Sequence, residues 1–176
     1  MKHVIGLDLS ITATGIATAD GHTYTVGGKA ALGDRRIVTI ADAVNNEIRW
    51  DTDLVVIEDL VSHGPGGGMA AAQVMGAIKC LLAGKGIPYA LCPPSSLKKF
   101  ATGRGNASKA DLAVALYKRC GLELGDDNQV DAKWLALLGH DLLGDPQIDL
   151  PAHNRTALTG VHRAGSAART ATEGTP

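Results

Sequence analysis

The stretch 5-IGLDLSITATGIATAD-20 places a single acidic residue, Asp8, inside an apolar run near the start of the chain. Residues 3–9 have the continuous apolar pattern of a buried strand, and two β-rich runs follow at 14–20 and 23–28. This stretch therefore predicts three antiparallel strands. An ionised carboxylate without a partner would cost several kcal/mol to bury in such a strand. A bound cation would remove that cost.

The rest of the chain predicts an α/β domain. Two further apolar runs have the length and composition of buried strands, which makes five strands in all. Between and after them, apolar residues recur at helical spacing. The sequence thus predicts a mixed five-stranded sheet flanked by helices. The two strands are expected over 53–60 and 87–93, and the helices over 35–50, 69–84, 108–121 and 128–143.

Length and composition are those of one domain. The chain has 176 residues, of which 45% are hydrophobic, so we expect a domain over residues 1–145. After Pro151 the periodicity disappears, and residues 146–176 have the small polar composition of a flexible, disordered tail. No apolar stretch has the length of a membrane span, and the three cysteines show no metal-binding or disulfide spacing. We expect a cytoplasmic protein with no membrane partner.

The net charge of −1 argues against a protein that coats nucleic acid through bulk charge. Any basic surface must be local. The one candidate is a cluster of cations within residues 98–119, which has Asp111 as its only acid. Its members are Lys98, Lys99, Arg104, Lys109, Lys118 and Arg119.

Acidic residues recur in apolar surroundings at two more places. Glu58 lies inside the predicted strand LVVIEDL, and Asp131 lies inside an otherwise hydrophobic helix. Asp127 is four residues before Asp131, so the two share one helical face. A cluster of Asp and Glu without His or Cys suits Mg²⁺ or Mn²⁺.

Each acid also has a purely structural interpretation. Asp8 can accept hydrogen bonds from the hydroxyls that follow it, Glu58 can pair with a lysine, and Asp126 or Asp127 can cap the last helix. One shared site explains all three segments more simply than three unrelated accidents do.

Four segments in this order resemble the motifs of RuvC-type Holliday junction resolvases, particularly the small phage-encoded members. They are GLDLSITATGIA, VVIEDL, SSLKKFATGRGNASKADL and DDNQVDAKWLALLG, and the resemblance covers residues 3–143. The first two segments are shared with other RNase H-like and actin-like proteins. The third is more specific, because its glycine-rich loop between lysines can approach a phosphate backbone closely. The resemblance implies an RNase H-like fold.

It also implies that Asp8, Glu58 and Asp131 bind divalent metal. Three residues before the last acid, where the family often carries Asp or His, this chain has Asn128. Either Asp127 supplies the fourth carboxylate, which is the alternative we favour, or Asn128 ligates through its amide oxygen.

The activity implied is Mg²⁺-dependent, structure-selective cleavage of DNA that resolves Holliday junctions by paired nicks. Two Mg²⁺ or Mn²⁺ ions would serve each active site, Lys109 would neutralise charge on the reacting phosphate, and DNA would be held by Lys98, Lys99, Arg104 and Lys109. The alternatives are a broader nuclease for forks and flaps, and a non-catalytic module that binds branched DNA. Host cytoplasm is the expected location for a phage-encoded member.

The helix at 69–84 is apolar on more sides than one sheet can cover. Its alanines and Gly76 would allow close approach of a second copy. We therefore expect a homodimer, in which two metal sites face the two symmetric strands of a four-way junction.

Overall fold

The computed structural model describes residues 1–60 and 64–164. The strands are β1 (Val4–Asp8), β2 (Thr14–Ala17), β3 (Thr23–Val26), β4 (Leu54–Glu58), β5 (Tyr89–Cys92) and β6 (His162–Ala164). The helices are α1 (Arg35–Glu47), α2 (Gly64–Gly84), α3 (Pro94–Thr102), α4 (Lys109–Cys120), α5 (Asp127–Leu142) and α6 (Ala152–Arg155).

The strands form one mixed sheet in the order β3-β2-β1-β4-β5-β6. β1, β2 and β3 are antiparallel neighbours, whereas β4 pairs in parallel with both β1 and β5. The α/β prediction is therefore confirmed. The sheet has a sixth strand, because β6 adds antiparallel to the edge of β5.

The two faces of the sheet explain why β1 and β4 are apolar up to the acid that ends each strand. Leu54 and Val56 pack on the face covered by α5, and Val55 and Ile57 pack on the face covered by α1 and α2. Side chains alternate along a strand, so Glu58 falls on the α5 face. Asp8 does the same on β1, where Val4 marks that face.

α5 lies directly on the backbone of β1 and β2. A Cβ atom at Gly6 would lie 2.1 Å from the backbone oxygen of Ala132, and one at Gly15 would lie 2.0 Å from the backbone oxygen of Asn128. Any side chain at either glycine would therefore push the helix away. This close contact brings the first turns of α5 beside the end of β1.

The sequence pattern did not predict α3. It begins at a proline directly after β5, and buries Leu97 and Phe100. The Phe100 ring meets the ring of Trp134 on α5 edge to face, with the centroids 6.1 Å apart. α2 begins at Gly64, earlier than its apolar spacing predicts. No helix within residues 1–60 and 64–164 is long and apolar enough to cross a membrane.

The prediction of a disordered tail over residues 146–176 is wrong for residues 146–164. Asn154 is buried and its Nδ2 donates to the Phe100 carbonyl at 2.8 Å. Arg155 Nε lies 2.7 Å from Asp141 Oδ2. Residues 146–164 have the composition of a disordered tail because the segment is polar and has little helical periodicity. Its polar side chains nevertheless form hydrogen bonds within the protein. The ordered domain thus extends beyond residue 145, whereas residues 165–176 lie outside the described residues.

We expect a chain that ends at Pro151 to unfold at a temperature at least about 6 °C lower than the full chain. The truncated chain lacks Arg155, so Asp141, whose side chain is only 2% exposed, loses its cationic partner. An unpaired buried charge costs about 3 kcal/mol, and each kcal/mol lowers Tm by about 2–4 °C in a domain of this size. Circular dichroism melting checks this. A chain ending at Ala164 is the matched control, and equal melting of both truncated chains would contradict the expectation.

Candidate active site

Three predicted acids meet at one point. Asp8 and Glu58 end the adjacent parallel strands β1 and β4, and Asp131 faces them from the second turn of α5. One carboxylate oxygen from each residue lies within 4.8 Å of the others. The hydroxyls that follow Asp8 bond elsewhere: Ser10 Oγ lies 3.1 Å from Thr12 Oγ1, and Thr14 Oγ1 donates to the Ser10 backbone carbonyl at 2.6 Å.

Burial disfavours the charged form of all three groups. It is the largest cause of a raised pKa at Asp8, at Glu58, where the pKa rises to about 8, and at Asp131, where it rises to about 6. Asp8 further raises the pKa of Glu58 by its negative charge and by accepting a hydrogen bond from the protonated Glu58 carboxyl. Glu58 therefore retains a proton near neutral pH unless a cation is bound.

Two lysines share this cleft with the acids. Lys98 of α3 and Lys109 at the start of α4 line the same cavity of about 310 Å³ as the three carboxylates. Lys109 lowers the pKa of each acid by its positive charge. The cleft thus combines hard oxygen ligands with cations at its wall, which is an arrangement suited to a metal ion and a phosphate group.

Asp127 and Asn128, the first residues of α5, and Asp126, which caps the helix, each contact different groups. Asp126 caps the helix, and its carboxylate accepts from the backbone nitrogen of Asn128. Asn128 lines the cleft beside Asp131. Asp127 is absent from the group of three acids, and its Oδ2 lies 3.6 Å from Lys109 Nζ. Sequence reasoning regarded Asp126 only as a helix cap and missed its contact with the Asn128 side chain.

Lys99 and Arg104 lie away from the carboxylates. Lys99 is half-buried on α3, and neither residue lines the cleft. Arg104 pairs with Asp111 at 3.5 Å, and lines a wider groove of about 620 Å³ between α3 and α4 together with Lys118 and Arg119. This groove is larger than the carboxylate cleft, but it contains none of the three clustered acids.

Two curated relatives are crossover junction endodeoxyribonucleases. The crossover junction endodeoxyribonuclease RuvC of Paenarthrobacter aurescens is 31% identical over 127 residues, which cover 65% of this chain and 67% of the relative. That of Pseudarthrobacter chlorophenolicus is 27% identical over 183 residues, or 97% and 85% of the two chains. No protein-family model matches the sequence.

The fold has a solved counterpart. The structure of Thermus thermophilus RuvC in complex with a Holliday junction substrate superposes with a TM-score of 0.70 at 18% identity, over 85% of this chain and all of the other. The mixed sheet, with Asp8 and Glu58 at the ends of its two central strands, thus has the RNase H-like fold. With the sequence relatives, the assignment is narrower: the chain belongs to the RuvC family of crossover junction endodeoxyribonucleases.

We expect Glu58→Gln to stabilise the metal-free protein at pH 8 by an amount that shrinks toward pH 4.5. The Glu58 pKa rises from an ordinary 4.5 to about 8 on folding, so the folded state binds more protons than the unfolded chain between those values. The free energy of unfolding therefore falls as pH rises through this window. Glutamine removes that penalty.

Melting in EDTA at the two pH values measures the effect, and we expect a gain in Tm on the order of 5 °C at pH 8. Glu123→Gln, at an exposed position, is the control and should change neither Tm. A lower Tm for Glu58→Gln at pH 8 would contradict the expected penalty.

Proposed function

We propose that this protein is a structure-selective endodeoxyribonuclease that resolves four-way Holliday junctions by paired nicks. The observation that carries the proposal is the convergence of Asp8, Glu58 and Asp131 within 4.8 Å in a chain of the RuvC family. The Thermus RuvC that shares the fold was solved with a Holliday junction, which supports the same class of substrate here.

Asp8, Glu58 and Asp131 would hold divalent metal. The donor set fits Mg²⁺ or Mn²⁺, because all three donors are carboxylates and burial, which raises the pKa of each, disfavours their charged form unless a cation is present. Two such ions, when bound, supply an activated water and stabilise the leaving oxygen of a phosphodiester.

The structure changes the preferred candidate for the fourth oxygen ligand of the metal. Helical spacing favours Asp127, yet its carboxylate lies beside Lys109 while Asn128 lines the cleft. We therefore propose Asn128 as the fourth donor and assign Asp127 to holding Lys109 in place.

The lysines would bind the phosphate that is cut. Lys98 and Lys109 stand at the wall of the cleft, where their charges would offset the charge that develops on the reacting phosphate. Lys99 and Arg104 lie farther along α3 and the loop that follows it. They would contact the DNA backbone beyond the cut site, which positions the strand without reading its sequence.

Paired nicks require two active sites, and we propose a homodimer built on α2. The helix buries Val74, Ile78 and Leu82 against the sheet. Its opposite side is exposed and carries Met69 and Gln73 beside the small residues Ala72, Gly76, Cys80 and Ala83. Since the carboxylate cleft lies on the other face of the sheet, pairing through α2 would leave both clefts open to DNA.

The proposal is tested with a four-way junction, a replication fork and a linear duplex of matched sequence, each with Mg²⁺. We expect paired, ligatable nicks in the junction, and we expect Asp8→Asn and Glu58→Gln each to reduce cleavage at least about 1,000-fold, because each removes a metal-binding charge with little change of volume. Junction affinity in Ca²⁺ or EDTA should persist in both variants.

Three outcomes would overturn parts of the proposal. Equal cutting of fork and junction would indicate a broader debranching nuclease, and binding without cutting would indicate a non-catalytic module. Mg²⁺-dependent cutting by Asp8→Asn at the unmodified rate would remove the active site from this cleft.

The dimer has its own test at Gly76. A Cβ atom there meets nothing within 4 Å, so Gly76→Glu fits the single chain and should improve helix propensity by up to about 1 kcal/mol. We expect it to convert the dimer to a folded monomer in light scattering and to uncouple the two nicks. Val114→Glu, at a half-exposed site on α4, is the control. A monomeric unmodified protein that still makes paired nicks would refute the dimer.

A further inference from the structure

The cleft has a neutral amide where a fourth carboxylate was expected. Asn128 lines the cavity with the three acids, and Asp127 is held at Lys109, 3.6 Å away. An amide can offer a metal either nothing or its oxygen, depending on which end of the planar group faces the site. The contacts that fix the orientation of the Asn128 amide therefore decide whether its oxygen can bind the metal.

Asp126 contacts this amide directly. Its Oδ1 lies 2.8 Å from Asn128 Nδ2 and 2.9 Å from the Asn128 backbone nitrogen. An ionised carboxylate only accepts hydrogen bonds, so the nitrogen end of the amide must face it. The amide oxygen is then directed away from Asp126.

Asp126 is itself held from the other side. Thr25 Oγ1 of β3 donates to its second oxygen, Oδ2. Both oxygens of the Asp126 carboxylate therefore accept hydrogen bonds, Oδ1 from Asn128 and Oδ2 from Thr25. One anion thus joins β3, the start of α5 and the amide at the cleft.

From these contacts we infer that Asp126 is a positioning residue of the nuclease, which locks Asn128 with its amide oxygen available to the metal ions. The inference rests on the proposed function. Although Asp126 lies outside the cleft, its negative charge compensates for the missing carboxylate at Asn128. An anion bound to the nitrogen end of the amide polarises it and makes its oxygen a better metal ligand.

A helix cap alone would also place an acid at Asp126, and two substitutions separate these roles. Serine is as good a cap as aspartate, so Asp126→Ser keeps the bond to the Asn128 backbone but removes the bonds to the amide nitrogen and to Thr25. Asp126→Asn keeps the size and the capping oxygen and removes only the charge.

The experiment is Mn²⁺ binding to the full-length protein without DNA, followed by electron paramagnetic resonance, with Tm measured in EDTA. For Asp126→Ser we expect about tenfold weaker Mn²⁺ binding, as is typical for loss of a residue that orients a ligand, with Tm within about 3 °C of the unmodified protein. Asp126→Asn should lie between the two. An unchanged Mn²⁺ affinity in Asp126→Ser would reduce Asp126 to a cap and overturn the inference.

A reciprocal pair of substitutions gives a second readout. Asn128→Asp alone places a carboxylate 2.8 Å from the Asp126 oxygen, so like-charge repulsion should offset most of the gain in metal affinity. In combination with Asp126→Asn the like-charge repulsion is relieved while the amide oxygen keeps the cap on the backbone nitrogen of residue 128, and we expect binding at least about tenfold tighter than in Asn128→Asp alone. Additive effects of the two substitutions would contradict a direct coupling.

Asp8→Asn is measured in parallel so that two kinds of failure remain distinct. Unchanged Mn²⁺ affinity in Asp8→Asn would refute the metal site of the proposed function. Loss of binding in Asp8→Asn together with unchanged binding in Asp126→Ser would refute only the role of Asp126.

Discussion

The direct contact between α5 and the backbone of β1 and β2 is the constraint on which the rest of the structure depends. Gly6 and Gly15 leave no room for a Cβ atom beneath the helix. Because the helix can settle onto the strands only there, Asp131 reaches the end of β1 and Asn128 reaches the neighbouring wall of the cleft. The glycines in the opening motif thus determine how closely Asp131, about 120 residues later in the chain, approaches Asp8.

The acidic cluster that this packing creates opposes folding in the absence of metal. Three carboxylates share a partly buried space, and burial raises the pKa of each. Lys109 offsets only part of this penalty. The acids are therefore better explained by the chemistry that they serve than by stability, and the apolar sheet and helices around them must supply the compensating free energy.

The two faces of the sheet have separate tasks. The α5 face carries the acids, Asn128 and the lysines of the cleft. The α2 face buries one side of its helix and leaves small residues exposed on the other, which is the surface of the proposed dimer. The division follows from the alternation of side chains, because a residue at the end of β1 or β4 can belong to only one face.

The sequence by itself determined the parts of this protein that depend on local periodicity. Continuous apolar runs placed Asp8 and Glu58 in buried strands, helical spacing located Asp131, and the order of segments indicated the family. Tertiary structure decided the rest. Helical spacing of four residues pairs Asp127 with Asp131, but in the folded chain Asp127 lies beside Lys109 of another helix, and Asn128, bound by the capping carboxylate of Asp126, lines the cleft. Likewise, α6 and β6 form because Phe100, Asp141 and the edge of β5 offer them partners. Contacts between residues so far apart in the chain leave no periodic pattern in the sequence, so only the folded chain reveals them.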